Sequence, residues 1–172
     1  MHLKDILSYI IIIVVVLLIR TFIITPVRVD GSSMNPTLDN GDLLFLKKFD
    51  KSFSRFDVVV IKYNNSKIVK RVIGLPNESI RISSTHIGNN YVSNIYINGE
   101  LLDENYGNTD MNDAGCASST IHLGDDEYFV LGDNRNNSLD SRSIGVIKKK
   151  DIVGTTSFRF FPFTSFGNFN KK

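Results

Sequence analysis

The chain contains 172 residues, of which 42% are hydrophobic and 22% are charged, and its formal net charge at neutral pH is +2. This length is sufficient for one catalytic domain with an anchor, and a charge so close to zero argues against a nucleic-acid-binding protein. Cys116 is the only cysteine, which excludes an intramolecular disulfide.

The first predicted element is a hydrophobic segment near the N-terminus. From Ile6 to Ile19 only a serine and a tyrosine interrupt the aliphatic residues, and the apolar character resumes at Phe22 after Arg20. The stretch reaches the ~20 residues that span a bilayer, and no small-residue cleavage site follows it. It predicts a retained transmembrane anchor within residues 1–25, followed by the catalytic domain in 26–172. A soluble helix that is buried on all sides is the alternative.

Beyond the anchor, the sequence consists of short β-branched or aromatic runs separated by turn-forming pairs. Asn98-Gly99, between two such runs, predicts a tight β-hairpin. No second helical pattern occurs, so the predicted fold class is mainly β, an all-β catalytic domain of short antiparallel strands. The polar residues from about 105 to 119 predict an exposed loop or insertion. The predicted strands are Val27–Asp30, Leu43–Leu46, Asp57–Tyr63, Ile68–Ile73, Ile80–Ser83, Ser93–Ile97, Tyr128–Leu131, Ile144–Val146 and Ser157–Phe161.

A candidate nucleophile lies in the segment Val29-Asp30-Gly31-Ser32-Ser33-Met34-Asn35-Pro36-Thr37-Leu38. Two adjacent serines lie here in a turn between a glycine and a proline. A serine hydroxyl attacks a carbonyl only when a base removes its proton. The three histidines, His2, His86 and His122, have no neighbouring residues that suggest a catalytic triad. The Gly-x-Ser-x-Gly and Ser-x-x-Lys patterns are both absent.

A candidate base lies in the segment Ile68-Val69-Lys70-Arg71-Val72-Ile73-Gly74-Leu75-Pro76. In a strand, Lys70 shares one face with Ile68 and Val72. Apolar neighbours desolvate an ammonium group and lower its pKa, which would let Lys70 act as a general base. An isolated lysine in a strand can also face solvent, so this segment alone leaves both interpretations open.

A third segment makes a family resemblance recognisable. It reads Leu131-Gly132-Asp133-Asn134-Arg135-Asn136-Asn137-Ser138-Leu139-Asp140-Ser141-Arg142 and is dense in hydrogen-bonding side chains. The three segments, in this order, resemble the signature motifs of bacterial type I signal peptidases (leader peptidases). The single hydrophobic segment before them resembles the anchor of the Gram-positive type. The resemblance extends from about Ile6 to about Pro162, and the central loop is its weakest part.

The resemblance implies a role for each matching residue. Ser33, in register with Met34 and Pro36, would be the nucleophile, and Lys70 would be the general base. Ser138 and Asp140 would orient the lysine, while Asp133 and Arg142 would support the site. The shallow substrate pockets would be lined by Val29, Leu38, Val69 and Leu139, although these four could equally be plain core residues.

The implied substrates are secretory preproteins with small residues at the first and third positions before the cut. Cleavage would proceed through an acyl-enzyme on the outer face of the plasma membrane, next to membrane lipid. We expect the reaction to need no cofactor or metal ion and the protein to bind no nucleic acid.

Two positions depart from the family pattern. Phe56 stands where the family usually has glycine, and because phenylalanine does not share glycine's freedom at positive φ, we expect a different turn there. Asn77 also replaces glycine, but asparagine tolerates the left-handed region.

There are two alternative functions. A LexA-like self-cleaving repressor would need a DNA-binding domain where this chain has its hydrophobic segment. A non-catalytic membrane-tethered β domain, either an inactive relative or a binding module, is the other alternative. The intact set of Ser33, Lys70, Ser138 and Asp140 argues against it.

Overall fold

The computed structural model describes residues 3–22, 24–48, 52–87, 90–107 and 111–169. Strands are the commonest regular element of the described chain. They are joined by one long helix, one short α-helical turn near the candidate site, and short 3-10 turns at Gly115–Ser118, Lys149–Asp151 and Phe163–Ser165. The elements are α1 Leu3–Phe22, β1 Ile24–Arg28, β2 Leu43–Lys47, β3 Val58–Tyr63, β4 Ser66–Gly74, β5 Ser79–Ile87, β6 Asn90–Ile97, β7 Glu100–Leu101, β8 Ile121–His122, β9 Glu127–Leu131, α2 Ser141–Ile144, β10 Ile147–Lys148, β11 Ile152–Phe161 and β12 Gly167–Asn168.

The described strands form two antiparallel sheets. The large sheet has the order β1-β2-β11-β3-β4-β9-β10, with β12 paired to β11, and the small sheet has the order β7-β6-β5-β8. The prediction of a mainly β domain of short antiparallel strands is therefore confirmed. The strand predicted at Ile144–Val146 is wrong, because Ile144 ends α2 and β10 begins only at Ile147. A carboxylate cap on the α2 N-terminus explains the difference and is described below with the candidate site.

Strand β4 runs through the centre of the large sheet and is buried on both faces. From Val69 to Gly74 every residue is buried, and its side chains contribute to three separate hydrophobic clusters. Val69 packs in one, Val72 in the second and Ile73 in the third. A lysine within this strand is therefore surrounded by protein rather than by solvent.

The turns follow the sequence closely, with one exception. Asn98 and Gly99 both have positive φ, 52° and 85°, which is the geometry of the predicted hairpin. Asn77 is left-handed at 65°, as expected for its residue type. Phe56 is also left-handed, at 72°, so the expectation of a different turn is wrong. Its ring packs against Tyr106 at 5.2 Å between centroids, which helps to offset a local cost of about 1–3 kcal/mol.

Helix α1 displays its apolar residues on every side. From residue 4 to residue 17 all side chains are exposed. Within the described residues, no helix meets both the length and the hydropathy required of a membrane span.

Candidate active site

The two candidate catalytic side chains are in direct contact. Lys70 Nζ lies 2.7 Å from Ser33 Oγ and 2.8 Å from the Val69 carbonyl oxygen. Lys70 is only 3% exposed, so the solvent-facing interpretation of this lysine is wrong. Ser33 is partly exposed in a turn, so its hydroxyl can meet a polypeptide while the lysine remains covered.

Burial changes the proton affinity of the lysine. It lowers the pKa of Lys70 from 10.5 to about 8, and the nearby carboxylates of Asp140 and Asp133 partly oppose this by raising the pKa. At neutral pH roughly one lysine in ten is then neutral, compared with fewer than about one in a thousand for an exposed lysine. The site therefore holds an amine that can accept a proton at physiological pH.

The turn that carries Ser33 is held by its own apolar residues. Met34 and Leu38 are 1% and 0% exposed, and the Leu38 N–H donates to the Met34 carbonyl at 3.0 Å. Gly31 enters the turn at a φ of 97°, which favours glycine. The turn is therefore anchored in the core by Met34 and Leu38, while its serine remains partly exposed.

Ser32 is held by a different set of contacts from Ser33. Its hydroxyl accepts a hydrogen bond from Asn137 Nδ2 at 3.0 Å, and its carbonyl accepts one from Asn134 Nδ2 at 3.1 Å. The Asn134 backbone N–H donates to the Ser33 carbonyl at 3.0 Å. Of the two adjacent hydroxyls, Ser33 is the one that contacts Lys70. Sequence reasoning missed Asn134 and Asn137, although both lie in the third motif segment.

A buried ion pair joins three of the motif segments. Arg71 donates to Asp133 through Nε at 2.8 Å and through Nη2 at 2.6 Å, and both side chains are 0% exposed. The Thr37 hydroxyl also donates to Asp133, at 2.5 Å. The Arg71 guanidinium lies 3.8 Å from the Tyr106 ring centroid. Asp133 therefore connects the serine turn to the strand of Lys70. The roles of Thr37, Arg71 and Tyr106 were not anticipated from the sequence.

Asp140 and Arg142 form a second buried ion pair. Arg142 Nε lies 2.8 Å from Asp140 Oδ1, and the Asp140 carboxylate also accepts from the backbone N–H groups of Arg142 and Gly132. The contact with the Arg142 N–H caps the N-terminus of α2. Asp140 acts on Lys70 through its charge and makes no hydrogen bond to it among the described residues.

Ser138 lies close to the serine turn but makes no hydrogen bond to the lysine among the described residues. Within the described residues its buried hydroxyl has no hydrogen-bond partner. Ser138 Oγ and the Ser33 carbonyl oxygen both lie close to the Gly132 backbone. A Cβ added at Gly132 would overlap both atoms. Glycine at this position therefore allows the third segment to approach the serine turn.

The four predicted pocket residues do not form one group. Val29, Leu38 and Val69 are 3%, 0% and 9% exposed and pack in a single cluster. Leu139 is 52% exposed and lies outside that cluster. An open cleft of about 380 Å³ lies beside the serine turn, lined by Asn35, Pro36, Gly107 and Asn134.

The remaining candidates are not part of this arrangement. His86 and His122 belong to the small sheet, where His122 Nδ1 lies 3.1 Å from the Ser79 hydroxyl. His2 lies outside the described residues. Cys116 has an exposed side chain whose thiol donates to the Ser141 carbonyl.

Comparisons with known proteins identify the family of this chain. The family model described as "Signal peptidase, peptidase S26" matches residues 3–161. A signal peptidase I of Bacillus amyloliquefaciens is 38% identical over 171 residues, covering 91% of this chain and 86% of that protein. Signal peptidase I S of Bacillus subtilis (strain 168) is 39% identical over 168 residues, covering 91% and 87%. The crystal structure of a signal peptidase I from Enterococcus faecalis V583 has 27% identity and a TM-score of 0.44, covering 60% of this chain and 96% of that one.

Proposed function

This chain belongs to the S26 family of signal peptidases, and we propose that it removes signal peptides from secretory preproteins with Ser33 as nucleophile and Lys70 as general base. The observation that supports this assignment most strongly is the 2.7 Å contact between Lys70 Nζ and Ser33 Oγ in a buried setting. A serine next to an amine with a pKa of about 8 is an activated nucleophile.

The first half of the reaction forms an acyl-enzyme. Neutral Lys70 takes the proton of the Ser33 hydroxyl while Oγ attacks the carbonyl carbon before the cut. The carbon–nitrogen bond then breaks, and the Lys70 ammonium gives its proton to the departing amine. An ester between Ser33 and the signal peptide remains, and the mature protein leaves with a new N-terminal amine.

The second half releases the signal peptide. Neutral Lys70 takes a proton from water, the resulting hydroxide attacks the ester carbonyl, and the ammonium returns the proton to Ser33 Oγ. Negative charge develops on the carbonyl oxygen in both halves. The Ser33 backbone N–H, which makes no hydrogen bond among the described residues, is the donor that we assign to this oxygen. One such donor typically contributes about 3–4 kcal/mol to transition-state stabilisation.

The supporting residues fit this cycle through charge and position. Asp140 and Asp133 raise the pKa of Lys70, so they favour the ammonium that must form after each proton transfer. Ser138, whose hydroxyl lacks a partner among the described residues, is assigned as an additional hydrogen-bond partner of that ammonium. The substrate is extended, with small residues at the first and third positions before the cut. Of the four pocket candidates, we assign Val29, Val69 and Leu139, which keep some exposed surface, to the walls that contact these two residues. Leu38 is 0% exposed and packs behind Val29 and Val69 in the same cluster.

We also propose that α1 anchors the protein in the plasma membrane, with the catalytic domain on the outer face. The exposed apolar side chains between Ile6 and Leu17 suit hydrocarbon rather than water, because a helix that is apolar all round requires an apolar environment. The expected result is that the full chain remains in the membrane pellet after alkaline extraction. Release into the supernatant would refute the anchor without affecting the dyad.

The test of the dyad is cleavage of a preprotein with an Ala-x-Ala site by the detergent-solubilised full chain. Ser33→Ala and Lys70→Met should each abolish cleavage while their circular dichroism stays like that of the wild type. Ser32→Ala is the matched control, because it removes the neighbouring hydroxyl that contacts Asn137 instead of Lys70, and it should keep most of the activity. Inert wild type would favour a non-catalytic relative, and activity in Ser33→Ala would refute the assignment.

A further inference from the structure

One asparagine of the third motif segment holds both peptide groups that flank the nucleophile. Asn134 Nδ2 donates to the Ser32 carbonyl at 3.1 Å, and the Asn134 backbone N–H donates to the Ser33 carbonyl at 3.0 Å. A single residue therefore contacts the carbonyl before the catalytic serine and the carbonyl after it.

The direction of the Ser32 carbonyl sets the direction of the proposed oxyanion donor. A peptide group is planar and trans, so its C=O and N–H bonds point in opposite directions. The Ser32 carbonyl and the Ser33 N–H belong to the same peptide group. The side chain that holds this carbonyl therefore directs the Ser33 N–H away from Asn134. Because the Ser33 carbonyl is held as well, both backbone dihedrals of the nucleophile are restrained.

The contact with Asn134 connects the serine turn to the rest of the domain. The Ser32 carbonyl also accepts from the Asn35 backbone N–H at 3.1 Å, but both residues belong to one short turn and move with it. Asn134 lies 102 residues further along the chain, in the segment that follows β9 of the large sheet. A catalytic group is placed precisely when hydrogen bonds connect it to rigid elements.

Asn134 itself has a rigid support on both sides. It lies between Asp133 and Arg135, which form ion pairs with Arg71 and with Glu104. The Asp133, Arg71 and Arg135 side chains are 0% exposed and the Glu104 side chain is 8% exposed. Two buried ion pairs thus hold the backbone on either side of a half-buried asparagine, and its amide is fixed in place before substrate arrives.

We propose that Asn134 is a positioning residue that directs the Ser33 N–H at the oxygen on which negative charge develops. This inference rests on the proposed function, in which Ser33 is the nucleophile and its N–H is the oxyanion donor. It adds the residue that orients this donor. A donor is most effective when it is oriented before the charge forms, because it then needs no reorganisation during the reaction.

The first test is the effect of Asn134→Ala on preprotein cleavage by the detergent-solubilised full chain. The variant loses the side-chain donor but keeps the backbone N–H, so kcat should fall by about 10- to 100-fold. KM should stay near the wild-type value, because the lost contact acts only in the transition state. Ser32→Ala is the matched control, since it removes the contact with Asn137 but keeps the carbonyl that Asn134 holds. Its kcat should stay close to that of the wild type.

A second variant separates the donor from the space that the side chain fills. Asn134→Asp keeps the shape of the side chain but places an oxygen against the Ser32 carbonyl, and two acceptors repel each other. A new carboxylate also raises the pKa of a nearby ammonium, so kcat is compared on the plateau above the apparent pKa. We expect a plateau kcat at or below that of Asn134→Ala. A plateau kcat like the wild type would show that the side chain only fills space and would overturn the proposal.

A pair of peptides tests the oxyanion directly. One is an Ala-x-Ala peptide that ends in an aldehyde, and the other is the same peptide reduced to the alcohol. With the aldehyde, Ser33 Oγ bonds to the carbonyl carbon, the carbonyl π electrons move to the oxygen, and the serine proton passes to Lys70. Asn134→Ala should weaken aldehyde binding by the same factor as it lowers kcat/KM. It should leave the Kd of the alcohol unchanged, because the alcohol has no carbonyl to attack.

The outcomes separate this inference from the proposed function. Equal weakening of the aldehyde and the alcohol, or a lower urea midpoint with an unchanged kcat of the folded protein, would make Asn134 a structural residue only. Either result would overturn its role toward the oxyanion. Cleavage by Ser33→Ala or Lys70→Met would instead overturn the dyad. If both of these variants are inactive and Asn134→Ala keeps full activity, the positioning role alone is refuted.

Discussion

Lys70 should lower the stability of the folded protein at neutral pH. Its pKa is about 8 in the folded state and 10.5 in an exposed state, which corresponds to a cost of about 3 kcal/mol below pH 8. Lys70→Met removes this cost. It also leaves the Ser33 hydroxyl and the Val69 carbonyl without a donor, and this loss offsets part of the gain in the free energy of unfolding. We therefore expect Lys70→Met to unfold at a higher urea concentration than the wild type at pH 7.

The pH dependence of stability is the sharper part of this prediction. Between pH 8 and 10.5 the unfolded chain binds more protons at Lys70 than the folded chain does, so the folded wild type gains stability as pH rises. Integrating from pH 7 to 9.5 gives a gain of about 2 kcal/mol for this residue. The difference in the free energy of unfolding between Lys70→Met and the wild type, measured by urea unfolding in detergent, should decrease by that amount. A difference that does not change with pH would refute the reasoning.

Three further predictions concern the surroundings of the dyad. Gly132→Ala should reduce kcat by about 100-fold, because the added Cβ overlaps Ser138 Oγ and the Ser33 carbonyl oxygen, and displacing catalytic groups by about 1 Å has an effect of that size. Gly124→Ala is the control and should remain active, because its Cβ would meet only the flexible side chain of a glutamate. Arg71→Met should cost about 3–5 kcal/mol in urea unfolding, since it leaves a buried carboxylate unpaired, whereas Lys148→Met, at an exposed ion pair, should have no measurable effect. Asp140→Asn should move the rise of kcat/KM to lower pH, because this carboxylate raises the pKa of Lys70; a shift to higher pH would contradict that cause.

Local sequence patterns predicted the fold class, and the resemblance of three motifs to a known family implied the pairing of Ser33 with Lys70. Short β-branched runs and the Asn98-Gly99 turn correspond to strands and a hairpin in the structure, because these signals act over a few residues. The strand predicted at Ile144–Val146 failed because Asp140 caps a helical turn there. Such a cap depends on the direction of one side chain.

Long-range contacts were less accessible from the sequence. The left-handed Phe56 depends on packing against Tyr106, which is 50 residues later in the chain. The contacts of Asn134 and Asn137 with Ser32 join segments about 100 residues apart. An asparagine in a sequence does not indicate which distant residue its side chain contacts. The three motifs identified which segments meet, and the structure adds which atoms meet.

The most direct measurement of the central claim is the pH dependence of kcat/KM for preprotein cleavage by the wild-type chain. The pKa of Lys70 is about 8, so kcat/KM should rise through an apparent pKa near that value as the free enzyme gains a neutral lysine. A rise centred near the ordinary histidine pKa of about 6.5, or no rise at all, would contradict Lys70 as the general base.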